Sequence, residues 1–410
     1  MEGDGGITVL IEERMNRANK WVMLIFATIA QTTATLITYG VGAFSLFWKE
    51  EYALTNMESG LLVSVVNVGP LFCMLLAGRL LDQYNEKLLI SISSFLLGGS
   101  FLLTNIVNGF NVLLFVLLLV GMFYSVSQPG GSKVILKWFP NENRGLAMGI
   151  RQAGIPIGGA LTGVLIPFLA IQYNVTYAIN SMACICIIGG LLFFMFYKEP
   201  YVQEDARKEH IKISFWTQLK VVIRKKELYP IYITGICMIS LQMVLVGHFM
   251  KFLVREQTIT SIVAGTVFSV MFFSGMIGRV VLAASSDLFY KGNRRTPLFI
   301  AVCTSIGLIL LLVMGIHTVT SGVLYGVSAL LGFFSIGWCS LFIVEVTALA
   351  SEESVGITVS LALTFNQIAI IVAPVLFGYI VDEKGYTYAW LCIVMLLSIS
   401  AVSLYRKNKK

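Results

Sequence analysis

Long, continuously apolar runs alternate with short polar breaks along nearly the whole chain. Bounded by Gly, Pro, Asn or charged residues, twelve such runs occupy approximately 21–48, 57–81, 88–107, 111–137, 145–171, 175–197, 229–254, 261–286, 297–316, 322–345, 358–381 and 386–404. Each has about the 20 residues that a helix needs to cross a bilayer. Spanning strands would show segments of alternating polarity, so the pattern predicts helices. One break is different in kind: residues 198–228 are long, mixed in charge and amphipathic around Ile211–Ile223. Beside Phe215 and Trp216, its basic residues suit an interfacial helix on anionic headgroups better than a regulatory partner. The expected organisation is an N-terminal segment 1–20, a six-span half 21–197, a linker 198–228, a six-span half 229–404 and a tail 405–410.

Composition agrees with the pattern. The chain of 410 residues is 57% hydrophobic and 12% charged, with a mean hydropathy of +0.83, which excludes an ordinary soluble enzyme, a disordered chain and a disulfide scaffold. In a soluble protein the net charge of +7 would suggest nucleic acid; here it reads as Lys and Arg held on one side of a membrane. Arg14, Arg17, Lys20, Lys87, Lys137, Arg144, the linker cations, Lys291, Arg294, Arg295 and the tail cations share one side, leaving Lys49, Lys251, Arg255 and Lys384 on the other. Both termini are therefore expected in the cytoplasm, in a multi-pass protein of the cytoplasmic membrane. Residues Met1–Lys20 are polar and the first apolar run is too long for a signal peptide. The seven cysteines all fall inside apolar runs and read as small buried hydrophobes. No phosphate-binding P-loop, metal-ligand cluster or catalytic triad pattern is present, so neither enzyme activity nor a cofactor is expected, and the protein is expected to work as a monomer.

The two halves repeat each other. Span 2 ends in Gly78-Arg79-Leu80-Leu81-Asp82 and span 8 in Ser285-Ser286-Asp287, both followed by basic residues, at an offset of 205 residues. Span 4 leads through Pro140 to Arg144-Gly145 and span 10 through Glu352 to Val355-Gly356, at an offset of 211. Duplication of this kind is found in transporters whose substrate site lies near the midplane between repeats.

Twelve spans, a central linker and an Asp-plus-basic loop after spans 2 and 8 resemble the major facilitator superfamily across essentially the whole chain. The match in the first loop is partial: Gly78, Asp82 and Lys87 are in place, but Gln83 and Asn85 stand where a basic residue and a glycine are usual. The passage Trp138-Phe139-Pro140, Arg144-Gly145-Leu146-Ala147-Met148-Gly149, Gln152-Ala153-Gly154-Ile155-Pro156 looks like spans 4 to 5 of members that move small anions. Gly278-Arg279, with Asp287 eight residues on, is similar to span 8 of oxalate/formate antiporters, monocarboxylate transporters and nitrate/nitrite carriers. The resemblance implies a substrate-binding role for Arg279. The oxalate/formate antiporters also carry a span 11 lysine, which is missing between Ser360 and Tyr379, making oxalate a less suitable cargo.

Ionisable residues inside the hydrocarbon core cost roughly 2.5–3.5 kcal/mol each on insertion scales, so each one is a functional candidate. Arg279 lies about 12 Å inside its membrane end by helical rise; a guanidinium there stays charged and offers planar two-pronged donation to a carboxylate. Lys133 and Arg151 lie at similar depth and would add to a cationic cavity. Alternatively, Lys133 faces Glu345 across the repeat and forms a gate. His248 is a candidate proton carrier or a packing residue, and Arg79 is read as part of the loop motif with Asp82. Because spans 1, 4, 7 and 10 line the cavity in the family, the resemblance favours Tyr39, Gln128 and Gln242 among the polar span residues Gln31, Thr32, Thr35, Asn67, Tyr124, Asn366 and Gln367. The glycines of span 5, from Gly145 to Gly163, suit close helix approach. Spans 1, 4, 5 and 7 contain no Asp or Glu, which argues against the alternative of a proton-coupled exporter of cationic drugs. A non-transporting sensor is disfavoured by the duplicated halves. The expectation is an all-α membrane protein with twelve helices in two pseudo-repeated halves, carrying a small, monocarboxylate-like anion by alternating access with proton symport or anion exchange.

Overall fold

The computed structural model describes residues 3–139, 144–199, 222–290, 293–314, 321–350 and 355–408. Almost all of the linker's proposed amphipathic stretch, the loop 140–143 and the side chains of Asp82, Arg144 and Asp287 lie outside what is described. The described regular structure is helical: α1 (Gly3–Glu51), α2 (Asn56–Gln83), α3 (Glu86–Leu102), α4a (Phe110–Tyr124), α4b (Ser127–Trp138), α5 (Arg144–Gln172), α6 (Val175–Phe196), α7 (Tyr229–Glu256), α8 (Ser261–Leu288), α9 (Arg295–Met314), α10 (Ser321–Leu349), α11 (Val355–Lys384) and α12 (Tyr386–Asn408). They supply the twelve helices long and apolar enough to cross a membrane, at the places the hydropathy pattern predicts. Helix starts follow local chemistry. Thr55 and Glu58 form a capping box on α2, Asn85 caps α3 and Asn174 caps α6, satisfying N–H groups that have no partner within the helix. Gly385, at a φ of +86°, makes the turn between α11 and α12 in a conformation that favours glycine.

Span 4 departs from the sequence pattern, which reads it as continuous. The helix breaks at Ser125–Val126, four residues before Pro129. A proline ring clashes with the carbonyl four residues back and offers no N–H to it. Pro129 is accommodated in the first turn of the new helix, and Gly130 N donates to Val126 O at 2.9 Å.

The spans pack unusually close where glycines face them. An added Cβ at Gly121 would overlap the carbonyl of Val66, and one at Gly332 that of Met271, joining α4a to α2 and α10 to α8. The α5 glycines work on two sides: Gly154 and Gly158 lie on α1, while Gly159 and Gly163 lie on Phe272 and Gly265 of α8. Helix α7 is buried almost continuously from Pro230 to Leu253, enclosed by other helices, with Gln242, His248 and Lys251 among its buried residues. The cysteines are only partly as expected. All seven are free thiols; Cys186 and Cys237 are buried but Cys184 and Cys303 are exposed, because they sit on the outward, lipid-suited side of their helices.

The halves meet through α1 with α7, α2 with α11 and α5 with α8. Both termini lie on one face, here the near face. Apart from the bond between Arg279 and Gln152, which lies nearer the near face, the hydrogen bonds described between the halves lie towards the opposite, far face or at mid-depth. At the far face Asp382 of α11 caps α2, its oxygens accepting from Asn56 N at 2.9 Å, Asn56 Nδ2 at 2.7 Å and Met57 N at 2.8 Å. Deeper in, Ser269 Oγ donates to Ala160 O at 2.6 Å and Gln367 Nε2 to Asn67 O at 2.8 Å.

Candidate functional site

Arg151 sits on α5 seven residues in from Arg144, about 10 Å along the axis. It is fully buried, yet its acceptors are all neutral. Nη1 donates to Gln31 Oε1 at 3.0 Å, and Nη2 to Gln128 Oε1 at 3.1 Å and Ser132 Oγ at 3.3 Å. Its Nε has no acceptor. One helix, α4b, supplies two of these partners because Gln128 and Ser132, four residues apart, stand one turn apart on the side facing α5. Space for the guanidinium comes from Gly131, where a Cβ would come within 2.5 Å of Arg151 Nη1. Gln31 is itself held in place, donating to Thr35 Oγ1 at 3.1 Å and to Tyr124 Oη at 3.3 Å, while Ser127 Oγ donates to its Oε1 at 3.1 Å.

Arg279 approaches α5 from the other half. It is 9% exposed; Nη1 donates to the backbone carbonyl of Gln152 at 3.2 Å and Nε to that of Ile336 at 3.4 Å. The approach is set by glycine: a Cβ at Gly278 would overlap the Phe333 carbonyl, and one at Gly337 would lie 2.7 Å from Gly278 C. Arg279 is thereby pressed against α10 and aimed across the seam at α5. Two guanidinium groups, one from each half, thus hang on consecutive residues of α5, Arg151 and Gln152. Neither has a carboxylate partner among the described residues. Above them Gln242 Nε2 donates to Tyr39 Oη at 3.4 Å and Trp338 Nε1 donates to Gln242 Oε1 at 3.4 Å, a weak chain of polar contacts joining α1, α7 and α10 across the halves.

Other candidate residues fall elsewhere. Lys133 does not meet Glu345. Its Nζ lies 3.5 Å from Glu86 Oε2 and also donates to the Leu81 carbonyl. Glu86 is completely buried at the near-face end of α3 and accepts from Tyr197 Oη at 2.8 Å and Lys137 Nζ at 2.7 Å. Glu345 accepts instead from Arg295 Nε at 2.8 Å. The two pairs are related by the repeat with their signs exchanged: acid at the start of α3 with base on α4b, base at the start of α9 with acid on α10. The sequence reading counts Arg295 only among the near-side cations and does not name Glu86, although their offset of 209 residues lies between the 205 and 211 of the repeated loops. His248 is fully buried near the far face, Nε2 against Pro374 O at 2.8 Å and its ring 5.1 Å from that of Phe377, remote from both arginines. Arg79 is exposed on α2. Also absent from the expected set is Ser132; a serine one turn beyond Gln128 is ordinary in sequence, and only Arg151's direction marks it.

Comparison with known proteins agrees with this architecture. The family model described as Major Facilitator Superfamily matches residues 24–374. Among similar proteins, a probable galactarate/D-glucarate transporter of Bacillus subtilis (strain 168) is 25% identical, covering 94% of this chain and 90% of its own. A hexuronate transporter of the same organism is 23% identical over 90% of this chain and 89% of its own. These relatives are named for sugar acids rather than for oxalate, formate or monocarboxylates, so the narrower resemblance drawn from span 8 gives way to a broader one. Among solved structures, a bacterial homologue of the human lysosomal transporter Spinster, inward-facing and unoccupied, superposes with a TM-score of 0.76 at 14% identity, covering 95% of this chain and 97% of its own. The nucleoside transporter NupG superposes with a TM-score of 0.73 at 12% identity, covering 94% and 99%. With two six-helix halves closed over one face and a family model spanning most of its length, this chain belongs to the Major Facilitator Superfamily.

Proposed function

We propose that the protein is a secondary transporter of small hydroxylated carboxylates, sugar acids in particular, working by alternating access with the near face cytoplasmic. The observation that carries this reading is a buried guanidinium from each half near α5, Arg151 bonded to neutral side-chain amides and a hydroxyl and Arg279 to backbone carbonyls, neither with a carboxylate partner among the described residues. A buried cation without a counter-ion is costly, and a substrate carboxylate is the group that relieves it through charge-assisted, two-pronged hydrogen bonds. Gln31, Gln128, Gln152, Ser132, Tyr39 and Gln242 donate and accept alike, which suits a polyhydroxylated chain better than a short monocarboxylate. The sugar-acid names of the relatives support the same class. As a carrier, the protein has no need of a reacting group.

Alternation requires that the far-face contacts part while the near face closes. The sign-exchanged pairs supply the near-face device. Glu86 would keep Lys137 and Tyr197 if Lys133 left it, so in this reading Lys133 exchanges Glu86 for Glu345 when the halves approach. Gating is thus assigned to Lys133 and Glu345, and substrate contact to Arg151 and Arg279.

The test is thermal shift on purified protein with D-glucarate, D-galactonate and a hexuronate, against lactate, oxalate and a cationic dye. A ligand that binds the folded state at about a hundredfold excess over Kd adds about 2.7 kcal/mol of stability. Sugar acids should raise the melting temperature of the wild type and leave Arg151→Gln and Arg279→Gln unmoved. Stabilisation by the dye alone, or sugar-acid stabilisation that survives both substitutions, overturns the reading.

A further inference from the structure

A second cationic centre lies at the far face, where the positive-inside distribution leaves few cations. Lys251 is 3% exposed on α7 and its Nζ has no hydrogen-bond partner. Its charged neighbours are Lys49 of α1 and Asp382 of α11. Asp382 is already committed, both its oxygens capping α2. Lys49 is held by its own acceptor, Asn56 Oδ1 at 2.5 Å, and Arg255 stands exposed one turn beyond Lys251 on the same side of α7. Two of these cations therefore come from one half and one from the other, with a single spent carboxylate acting on the buried one.

We propose that Lys251, with Lys49 and Arg255, forms a far-face receiving site for the carboxylate of the same substrate when the halves part there. Separation of α2 from Asp382 would uncover Lys251 at the bottom of a cleft with Arg255 at its mouth, and cations graded along a cleft raise the local concentration of an anion and its rate of arrival. Closure then covers Lys251 again and hands the anion on to Arg151 and Arg279. The far-face cleft is thus a distinct binding step, absent from the near-face route.

This inference rests on the proposed transport of sugar acids, and its test separates the two. Radiolabelled D-glucarate uptake is measured in oriented vesicles presenting either the far or the near face. Lys251→Gln should raise KM for substrate offered at the far face by about tenfold or more and leave KM at the near face as in wild type; Lys251→Arg, which keeps the charge, should restore the far-face KM. An unchanged far-face KM in Lys251→Gln, or an equal rise at both faces, overturns the receiving site while leaving the transport reading intact. Wild-type vesicles that take up no D-glucarate from either face overturn both. Lys49→Gln serves as the independent variant: it should raise only the far-face KM, and failure to do so counts against the site.

Discussion

Gly131 is small because Arg151 needs the room. An alanine there would put a Cβ 2.5 Å from Nη1 and 3.0 Å from Cδ of Arg151, so Gly131→Ala should push the guanidinium off its acceptors Gln128 and Ser132 without disturbing any helix ladder. Sugar-acid affinity is expected to fall by about tenfold, or about 1.4 kcal/mol, with the unliganded melting temperature nearly unchanged; titration by thermal shift measures both. Arg151→Lys keeps the charge but replaces a planar fork by a point donor, and should lose most of the binding as well. Were Arg151 merely a structural strut for α4b, lysine would lower the unliganded melting temperature and leave the remaining protein's affinity alone. At this scale the sequence reading treats Lys133 and Arg151 alike, as candidates for substrate contact or a gate, and the structure gives them different surroundings. Both are cations at similar depth on adjoining helices, but Lys133 points to a buried carboxylate and Arg151 to neutral amides. Depth is readable from helical rise; direction depends on the break at Ser125–Val126, which the hydropathy pattern passes over.

Among the elements, α4 and the α8–α10 pair decide the site. Pro129→Ala restores an N–H able to donate to the Ser125 carbonyl and removes the ring that clashes with it. Span 4 should straighten, turning Gln128 and Ser132 away from Arg151. The expected signature is a melting temperature equal to or above that of wild type together with uptake reduced several-fold, since the break serves function rather than stability. Gly278→Ala has the opposite signature. Its Cβ would meet backbone, the Phe333 carbonyl, which cannot swing aside as a side chain can. Overpacking of this kind costs about 1–3 kcal/mol, and the displacement of α8 carries Arg279 off Gln152 and Ile336. Both the melting temperature and binding should fall, measured on the same samples.

For the molecule as a whole, two latches on opposite faces should be mutually exclusive. In the present state Asp382 caps α2 while Lys133 and Glu345 stay with partners in their own halves. Asp382→Asn keeps one acceptor but removes the charge that favours a helix N-terminus, worth about 1 kcal/mol, and should shift the population towards the far-open state. In a variant lacking the native thiols, Asn56→Cys with Asp382→Cys should cross-link readily and stop uptake until reduced. Lys133→Cys with Glu345→Cys should cross-link only when the near face closes, and more in the Asp382→Asn background than without it. Equal near-face cross-linking in both backgrounds would sink the coupling between latches.

Periodicity and length by themselves determined that twelve helices are long and apolar enough to cross and, except for α1, which begins at Gly3, where they begin and end within a few residues; the repeated loop residues added that the chain is two related halves. Those features depend on local apolar content and on backbone groups that must be satisfied inside a bilayer. The scarcity of acid in spans 1, 4, 5 and 7 likewise follows from composition and already pointed to an anion. What required the tertiary structure was partnership. Glu86, one residue beyond a cap at Asn85, is indistinguishable in sequence from an exposed first-turn acid, yet folding buries it against Tyr197, more than a hundred residues away in the chain. Arg279 reaches Gln152, 127 residues away, only because glycines let α8 lie against α10, and Lys251 loses every acceptor only because α1, α7 and α11 close over it. Charge type and depth are local properties of a helix; which charge meets which is settled by helix packing across the seam.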